Sequence, residues 1–449
     1  MTRNCFWRRG LIAVSVGVAI SAGLVSAKSV SPSPRVALTC QDGEGGDSPD
    51  QVLEWNKIFI DTLIATNTAN SSSQRLGAIV HTAIFDAYNG IDRRYTPIHV
   101  VQTAPPGASR RAAVIAAAHT ALVGLFPSRQ DELDDLYWAS LAALSDDDGS
   151  GGQSRDRGIS WGNLVAQAVL AWRAADGFGV PRPPFTGGNA VGQWRPIPPS
   201  TSMSAQGLAF TQMFVLDSND QFDPGPPRAL TTATYTDDFN EVKALGRRTG
   251  STRTADQTAL APFWEGNASV HWNQAANQIA RANHLTLEKN NRLFALLNIA
   301  MADTAFTTWS RKRFYGSLAT EVTWRPLTAI RLAETDPNPD THADPDWLPL
   351  ITTPSHPEYL AGHPSLNGAA ATVLLSYFDD AQLFELTTTG QPSRIYASIS
   401  QARADGNNAR VWGGMHYPST VRISDANGAD IAKHVNENAM QPLHGPRPH

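Results

Sequence analysis

The chain has 449 residues, of which 41% are hydrophobic and 17% are charged, and its net charge at neutral pH is −5. A chain of this length and composition can bury one large core or two smaller ones, which excludes a disordered or fibrous protein. The acidic balance gives no support for general binding to nucleic acid or to anionic membranes.

Residues 1–27 are typical of a secretory signal peptide. They begin with basic residues, continue with an apolar run over 11–25, and end on the small residues Val25, Ser26 and Ala27. A membrane anchor is the alternative, but the run is short and contains Ser and Gly. The pair Arg8 and Arg9 would also suit twin-arginine export. We therefore expect cleavage after Ala27 and a secreted or periplasmic protein.

Residues 28–49 are rich in Ser, Pro, Gly and Asp without periodicity, which predicts a flexible lead-in. The chain has two cysteines, and Cys5 lies within the predicted leader. Cys40 would then have no partner in the mature chain for an internal disulfide. A single helical domain is expected over 50–449, with order beginning near Asp50.

Helical periodicity dominates the first half of this domain. The predicted helices, each bounded by Gly, Pro, Ser or Asp, cover 52–66, 74–88, 109–125, 131–144 and 161–175. His81 and His119 fall within Ala-rich helices, where a core or helix-contact position is expected rather than a catalytic one. We therefore predict an all-α fold.

A Pro- and Gly-rich stretch over 181–227 interrupts the helical pattern. It is too long for an ordinary connection, and long loops of this kind in compact domains tend to be functional or to wrap the core. We predict a wrapping loop that forms part of the rim of the site.

Helical patterns resume at 234–245, 254–263, 272–283 and 286–309. The last of these presents a leucine-rich core face and leads into Arg311, Lys312 and Arg313. These three residues are either a solvated cationic cluster or a source of positive charge for a site near Arg325.

Three stretches in the last third carry residues suited to a tetrahedral oxyanion. Arg325 precedes Pro326 at a predicted helix start, and Gly362 and His363 precede Pro364 at another. Taken alone, the second stretch is more typical of a capped helix with a partly buried histidine. The third stretch runs from Arg410 to His416 and supplies one more guanidinium and imidazole.

The order Lys, Arg-Pro, Gly-His and Arg followed after five residues by His resembles the site of vanadium-dependent haloperoxidases and type 2 phosphatidic acid phosphatases. The sequence around these residues is similar to that of the bacterial haloperoxidase branch, notably over 325–331, 356–359 and 413–416. The similarity extends to 80–89 and 238–243. The resemblance implies paired helical bundles with the site at the end of one bundle.

The resemblance also implies vanadate as the cofactor. By motif, the residues binding it are Lys312, Arg325, Gly362, Arg410 and His416, with His416 as the single protein ligand to vanadium. His363, Lys312 and His356 are the expected catalytic residues. The family register for the lysine holds Leu318, so Lys312 is assigned on the assumption that residues were inserted over 316–322.

Departures from the family pattern bear on the mechanism. Ala361 stands where the family often has a serine that donates to the anion, and Thr420 stands where phosphatases carry the Asp that orients the second histidine. The latter argues against a phosphohistidine mechanism. At the position of His356 the chain resembles bromoperoxidases, and at the position of Trp309 it resembles chloroperoxidases. The two positions therefore indicate different halides.

Three functions follow as hypotheses. The first is a secreted haloperoxidase that oxidises bromide or chloride with hydrogen peroxide and passes a hypohalous acid equivalent to a small organic acceptor. The second is an acid phosphatase on the same scaffold, and the third is a non-catalytic descendant that binds an anion. No nucleic-acid partner and no stable membrane association after signal cleavage are expected, and a homo-oligomer is left open.

Overall fold

Helices provide most of the regular structure in the computed structural model, which describes residues 50–144 and 152–443. The predicted signal peptide, the lead-in over 28–49 and both cysteines lie outside the described residues. The first helices are α1 (Gln51–Ala65), α2 (Asn70–Asp92), α3 (Arg110–Leu125), α4 (Gln130–Ala142) and α5 (Gly152–Ala174).

The start of α1 illustrates how local sequence sets a boundary. The Asp50 carboxylate accepts hydrogen bonds from the backbone N–H groups of Val52 and Leu53, at 2.9 and 3.1 Å. A side-chain acceptor at this position satisfies N–H groups that have no partner within the helix. The expected beginning of order near Asp50 therefore coincides with a capped helix.

The remaining helices are α6 (Ala233–Leu245), α7 (Ala255–Phe263), α8 (Ala268–Ala282), α9 (Leu287–Ser317), α10 (Pro326–Arg331), α11 (Gly362–Leu375), α12 (Ile399–Trp412) and α13 (Pro418–Asn438). A small antiparallel hairpin pairs β1 (Phe384–Leu386) with β2 (Arg394–Tyr396). The all-α prediction is confirmed, and this hairpin is the only sheet in the described residues.

The helices pack as two groups that share one continuous hydrophobic core. In the first group α3 packs against α2 and α5, and in the second α11 packs against α13, α9 and α12. Helix α9 also contacts α2, so it joins the groups. His81 lies in this core, 1% exposed and stacked on Phe294.

Glycines allow α11 and α13 to approach closely. A Cβ atom on Gly428 would lie 1.8 Å from the carbonyl oxygen of Ser365, and one on Gly368 would lie 2.1 Å from that of Asp425. Neither contact is sterically allowed, so the crossing requires residues without a Cβ atom at both positions. This crossing fixes the beginning of α11, where Gly362 and His363 lie.

The long segment predicted between 181 and 227 contains one short 3-10 helix, Gln206–Phe210, and is otherwise irregular. Much of it is exposed, but it buries Trp194, Met203 and Leu208 in the main core. Its backbone is anchored to α9, because the buried Asp303 carboxylate accepts hydrogen bonds from the N–H groups of Phe214 and Val215 at 2.7 and 2.9 Å. Ser204 N–H donates to the carbonyl of Ser355, at 2.7 Å. The segment therefore wraps the core and reaches the loop that leads to α11.

Within the residues described, no single helix is long and apolar enough to cross a membrane. One bent pair, Arg110–Leu125 with Pro127–Ala142, meets the length and composition criteria together, with an angle of 116° between its members.

Candidate functional site

Helix α9 carries Lys312 into the protein interior. The helix continues past Trp309 to Ser317, and Lys312 is 0% exposed. Its ammonium group donates to the carbonyl oxygens of Pro357 and Glu358, at 2.6 and 3.1 Å. A solvated cationic cluster is therefore excluded for Lys312. The preceding Arg311 has a different role, because it forms an ion pair with Asp223 at 2.8 Å.

Arg325 is the N-cap residue of α10, and its guanidinium is wholly buried. Its Nε donates to the carbonyl of His356 at 2.8 Å, and its Nη2 lies 2.7 Å from Nδ1 of the same residue. Its Nη1 donates to the carbonyl of Met415 at 2.9 Å and lies 3.1 Å from Nε2 of His416. Arg325 therefore connects the loop before α11 with the turn before α13.

The turn after α12 brings His416 to Arg325. Helix α12 ends at Trp412, and Gly414 adopts φ of +76°, a conformation that residues with a Cβ atom rarely adopt. A Cβ atom there would also lie 2.7 Å from the carbonyl of Gly246. His416 follows after Met415 and is 2% exposed. The Gly-Gly pair in the motif therefore has a structural reason.

Glu358 lies behind His416, on the side away from Arg325. Its Oε1 is 2.8 Å from Nδ1 of His416 and 3.1 Å from the backbone N of Tyr417. Its Oε2 accepts from the hydroxyl of Thr420 at 3.0 Å. The absence of an Asp at the position of Thr420 therefore does not leave His416 without a carboxylate partner. The carboxylate comes from a different part of the chain, and Thr420 supports it.

Helix α11 begins at Gly362 and directs its N-terminus at the site. Ala361 is its N-cap residue and provides no side-chain acceptor to the first N–H groups. The Cα of Gly362 faces the indole of Trp309, whose ring would be 3.4 Å from an added Cβ atom. This helix end therefore offers backbone donors and partial positive charge to an anion.

His363 lies in the first turn of α11, with its Nε2 at 3.1 Å from the carbonyl of Gly266. The side-chain amide nitrogen of Asn70 lies 3.4 Å from the same Nε2, so this atom faces one acceptor and one donor. Burial, with Arg410 as the next cause, lowers the pKa of His363 to about 3. An anion bound beside Arg410 would offset that positive charge and raise this pKa.

Arg410 is buried, at 4% exposed, yet its hydrogen bonds are incomplete. Its Nη1 lies 3.5 Å from the carbonyl of Trp264, at the limit of a hydrogen bond, and its buried Nε has no partner among the described residues. Burial lowers the pKa of Arg410 to about 10. A buried guanidinium with an unsatisfied donor is costly unless a ligand accepts from it.

The site holds more positive than negative charge. Lys312, Arg325 and Arg410 are buried with one buried carboxylate, that of Glu358. Burial lowers the pKa of Lys312 well below its usual value, and Arg325 adds to the shift. Burial likewise lowers the pKa of Arg325 to about 9. Uncompensated buried charge of this kind favours binding of an anion.

The donor set fits vanadate, a tetrahedral oxyanion with an electrophilic centre. The unsatisfied Nε of Arg410, the excess positive charge and the N-terminus of α11 would hold its oxygens. Nε2 of His416 is unprotonated where it faces Arg325, so a metal centre could bind its lone pair in place of the contact to Arg325. The residues present therefore fit the group that the sequence motifs predict.

All the residues predicted for the site lie in one region. Direct contacts join Lys312, Arg325, His356 and His416 through the 356–358 segment. Arg410 is close enough to lower the pKa of Lys312, His363 and His416. Gly362 packs on Trp309, which lies against His356. The roles assigned to these residues remain predictions.

Glu358 is the functional residue that sequence reasoning missed. It lies in the stretch 356–359 that resembles bacterial haloperoxidases, and the resemblance gives it no role of its own. A signal was present, because a lone acidic residue stands close to His356 in a segment crowded with Pro and apolar residues. Its pairing with a histidine 58 positions away depends on tertiary structure.

A family model and a curated protein that match this chain both describe vanadium chloroperoxidases. A family model for the second helical-bundle domain of VCPO matches residues 292–445. The vanadium chloroperoxidase of Curvularia inaequalis is 26% identical over 203 residues, covering 38% of this chain and 31% of that protein. The match thus spans about a third of the length of that curated relative.

Solved structures share the fold over most of the chain. The crystal structure of a bacterial vanadium-dependent iodoperoxidase superposes with a TM-score of 0.74 and 22% identity, covering 89% of this chain and 100% of that one. The holo form of a bacterial vanadium-dependent chloroperoxidase gives a TM-score of 0.63 and 17% identity, covering 82% and 91%.

Proposed function

We propose that this chain, which belongs to the vanadium haloperoxidase family, is a vanadate-dependent haloperoxidase that oxidises bromide or chloride with hydrogen peroxide. The product is a hypohalous acid equivalent, which reacts with a small organic acceptor. The observation that carries the proposal is the buried set of three cations around His416, whose Nε2 lone pair faces the same space as the Arg325 guanidinium.

The cationic side chains would hold the oxyanion and withdraw charge from it. Lys312, Arg325 and Arg410 are fixed by burial and by their backbone acceptors, so little reorganisation is needed when an anion binds. Gly362 adds its backbone N–H at the beginning of α11. His416 would be the single protein ligand through Nε2, with its Nδ1–H donated to Glu358.

When bound, vanadate would supply a Lewis acid that activates peroxide, with no change in the oxidation state of vanadium. The protein's contribution is to place proton carriers and cations around it. His363, which burial keeps neutral, would accept or return a proton at the cofactor's oxygen atoms. A bound oxyanion would raise the lowered pKa of Lys312 and so keep a positive charge beside the reacting oxygens. His356 with Trp309 would line the approach.

An acid phosphatase is the second candidate, and one observation favours it. The carboxylate of Glu358 at Nδ1 of His416 is the arrangement that orients a histidine as a nucleophile, as an Asp does in the phosphatase branch. The two functions differ in the substrate that the site activates. A non-catalytic anion-binding protein loses part of its support, because Lys312 reaches the site despite its displaced position in the sequence.

The deciding experiment is reconstitution with vanadate followed by a peroxide-dependent bromination assay. Hydrolysis of a phosphate ester is measured on the same preparation before and after vanadate is added. We expect bromination only with vanadate, and none in His416→Ala. Bromination by metal-free protein, or phosphatase activity without bromination, would reject the proposal. Uptake of vanadate with neither activity would favour the anion-binding descendant.

Export is part of the proposal and is supported by the sequence of residues 1–27. The test is amino-terminal sequencing of the protein recovered outside the cytoplasm of an expressing bacterium. A mature chain that begins at Lys28 is expected, and retention of the whole leader on a membrane would argue for an anchor instead.

A further inference from the structure

Glu358 contacts the site through both its side chain and its backbone. The carboxylate is 1% exposed and accepts from Nδ1 of His416, from the N–H of Tyr417 and from the hydroxyl of Thr420. Its own carbonyl accepts from the ammonium group of Lys312, at 3.1 Å. One residue is therefore bonded to two of the predicted vanadate-binding side chains.

The position of the carboxylate is fixed from several directions. The N–H of Glu358 donates to the carbonyl of Thr323 at 2.9 Å, which ties the residue to the segment before α10. The N–H of Tyr417 and the hydroxyl of Thr420 donate to its two oxygens. Burial raises the pKa of Glu358 to about 7, and these donors act with the positive charges of Arg325 and Lys312 in the opposite direction, toward the ionised carboxylate. An ionised carboxylate only accepts, so the Nδ1 of His416 must carry a proton.

The second ring nitrogen of His416, Nε2, is constrained by a separate contact. The Nη1 group of Arg325, 3.1 Å from Nε2 of His416, is a donor and never an acceptor. A neutral imidazole has one N–H, and it faces Glu358, so the lone pair faces Arg325 and the oxyanion site. Without Glu358, Nδ1–H of His416 would lose the acceptor that it has in this structure. In the alternative tautomer, Nε2 carries the proton and the lone pair lies on Nδ1, away from the oxyanion site.

We propose that Glu358 is a positioning residue that holds His416 in the tautomer and orientation with its Nε2 lone pair directed at the oxyanion site. The negative charge of the carboxylate also makes that nitrogen a better electron donor, as carboxylates behind metal-binding histidines do. This inference rests on the proposed function, because it assigns the carboxylate a role in binding to an electrophilic centre.

Two simpler roles make different predictions. If Glu358 only offset the positive charge of the site, its neutralisation would strengthen binding of every oxyanion. If it only supported the local structure, its loss would weaken binding of every oxyanion. If Glu358 positions His416, its loss weakens the binding of vanadate, which bonds to Nε2. The binding of sulfate is unaffected, because this tetrahedral dianion is held by charge and hydrogen bonds alone.

The experiment compares vanadate and sulfate affinity in the full chain and in Glu358→Gln. Vanadate binding is measured by equilibrium dialysis and sulfate binding by competition. We expect the variant to bind vanadate roughly 10- to 100-fold more weakly, with sulfate affinity unchanged or increased. Retained sulfate binding also shows that the site of the variant is folded. Thr420→Val, which removes one donor and leaves the carboxylate on His416, should change vanadate affinity by less than about threefold.

Each outcome decides the inference. Equal weakening of both anions in Glu358→Gln, or no change in either, overturns the positioning role while leaving the proposed function intact. Absence of any preference for vanadate over sulfate in the unmodified chain overturns both. If Glu358→Gln fails to fold, Glu358→Asp is used instead, because it keeps the charge and withdraws it from Nδ1. The same selective loss of vanadate affinity is then expected.

Discussion

The indole of Trp309 lies against the imidazole of His356, with ring centroids 5.3 Å apart and ring planes inclined at 48°. The sequence had assigned these two residues to haloperoxidases of different halide preference, yet they form one wall of one site. His356 is fixed in that wall by Arg325, whose Nη2 lies 2.7 Å from its Nδ1. Burial lowers the pKa of His356 well below its usual value, and Lys312 adds to the shift, so the ring is a neutral acceptor.

The first prediction concerns this acceptor. His356→Asn places an amide oxygen near the position of Nδ1, whereas His356→Leu removes the acceptor and leaves a buried N–H of Arg325 unsatisfied. We expect the Leu variant to be less stable than the Asn variant by about 1–3 kcal/mol in free energy of unfolding. Urea denaturation of the two variants measures the difference, and equal stability would contradict a bond between Arg325 and His356.

The second prediction concerns Lys312. Lys312→Met preserves most of the side-chain volume and removes the buried charge, so a charge-assisted contact to the oxyanion is lost. We expect the dissociation constant of vanadate to rise about 10- to 100-fold, the equivalent of about 1.5–3 kcal/mol. Arg313→Met is the matched control, since Arg313 stacks over the rings of Phe185 and Phe210 instead. Equal effects in the two variants would reject the assignment of Lys312.

The third prediction concerns pH and the buried His81. Burial lowers the pKa of His81 to about 3, below the value near 6.5 of an unfolded chain. Between these values the unfolded state binds the extra proton, so stability is fully present above pH about 6.5 and is lost as the pH falls toward 3. One such group contributes a slope of about 1.4 kcal/mol per pH unit.

His81→Gln tests this dependence, because Gln keeps a donor for Asn56, which lies 3.2 Å from Nε2 of His81. We expect the variant to be less stable at pH 7 but to lose less stability between pH 6 and pH 4. Urea unfolding at a series of pH values gives both slopes. Parallel slopes would mean that His81 is charged in the folded protein.

The fourth prediction concerns the loop over 181–227. Asp223 accepts from Arg311 at 2.8 Å and from the hydroxyl of Tyr315 at 2.7 Å, which holds the loop to α9. Asp223→Asn removes the charge opposite a largely buried guanidinium, so we expect a loss of about 1–2 kcal/mol in stability and faster proteolysis of the loop. Asp220→Asn, an exposed change in the same loop, should alter stability by less than about 0.5 kcal/mol.

The fifth prediction concerns the crossing of α11 and α13. Gly428→Ala would place its Cβ atom 1.8 Å from the carbonyl oxygen of Ser365, so one helix must move. We expect a loss of about 1–3 kcal/mol in unfolding free energy, with weaker vanadate binding because the beginning of α11 shifts. Gly152→Ala, where no atom lies within 4 Å of the added Cβ, is the control. Unchanged stability in both variants would contradict the close crossing.

Local sequence patterns account for most of the helical elements and for the motifs that come together at the oxyanion site. Helical periodicity and capping residues are local properties, so α1, α3, α6 and α7 begin and end within a few residues of their predicted limits. The motifs around Arg325, Gly362, Arg410 and His416 carry their chemistry in short spans. Each was therefore recognisable without knowledge of its neighbours in space.

Which of these residues meet depends on the packing of distant segments. The continuation of α9 to Ser317 buries Lys312, although periodicity had suggested an end at Trp309. The carboxylate behind His416 comes from Glu358 rather than from the position of Thr420. Such pairings depend on how distant segments pack, and a hydrogen bond across 58 residues leaves no periodic or local trace in the sequence.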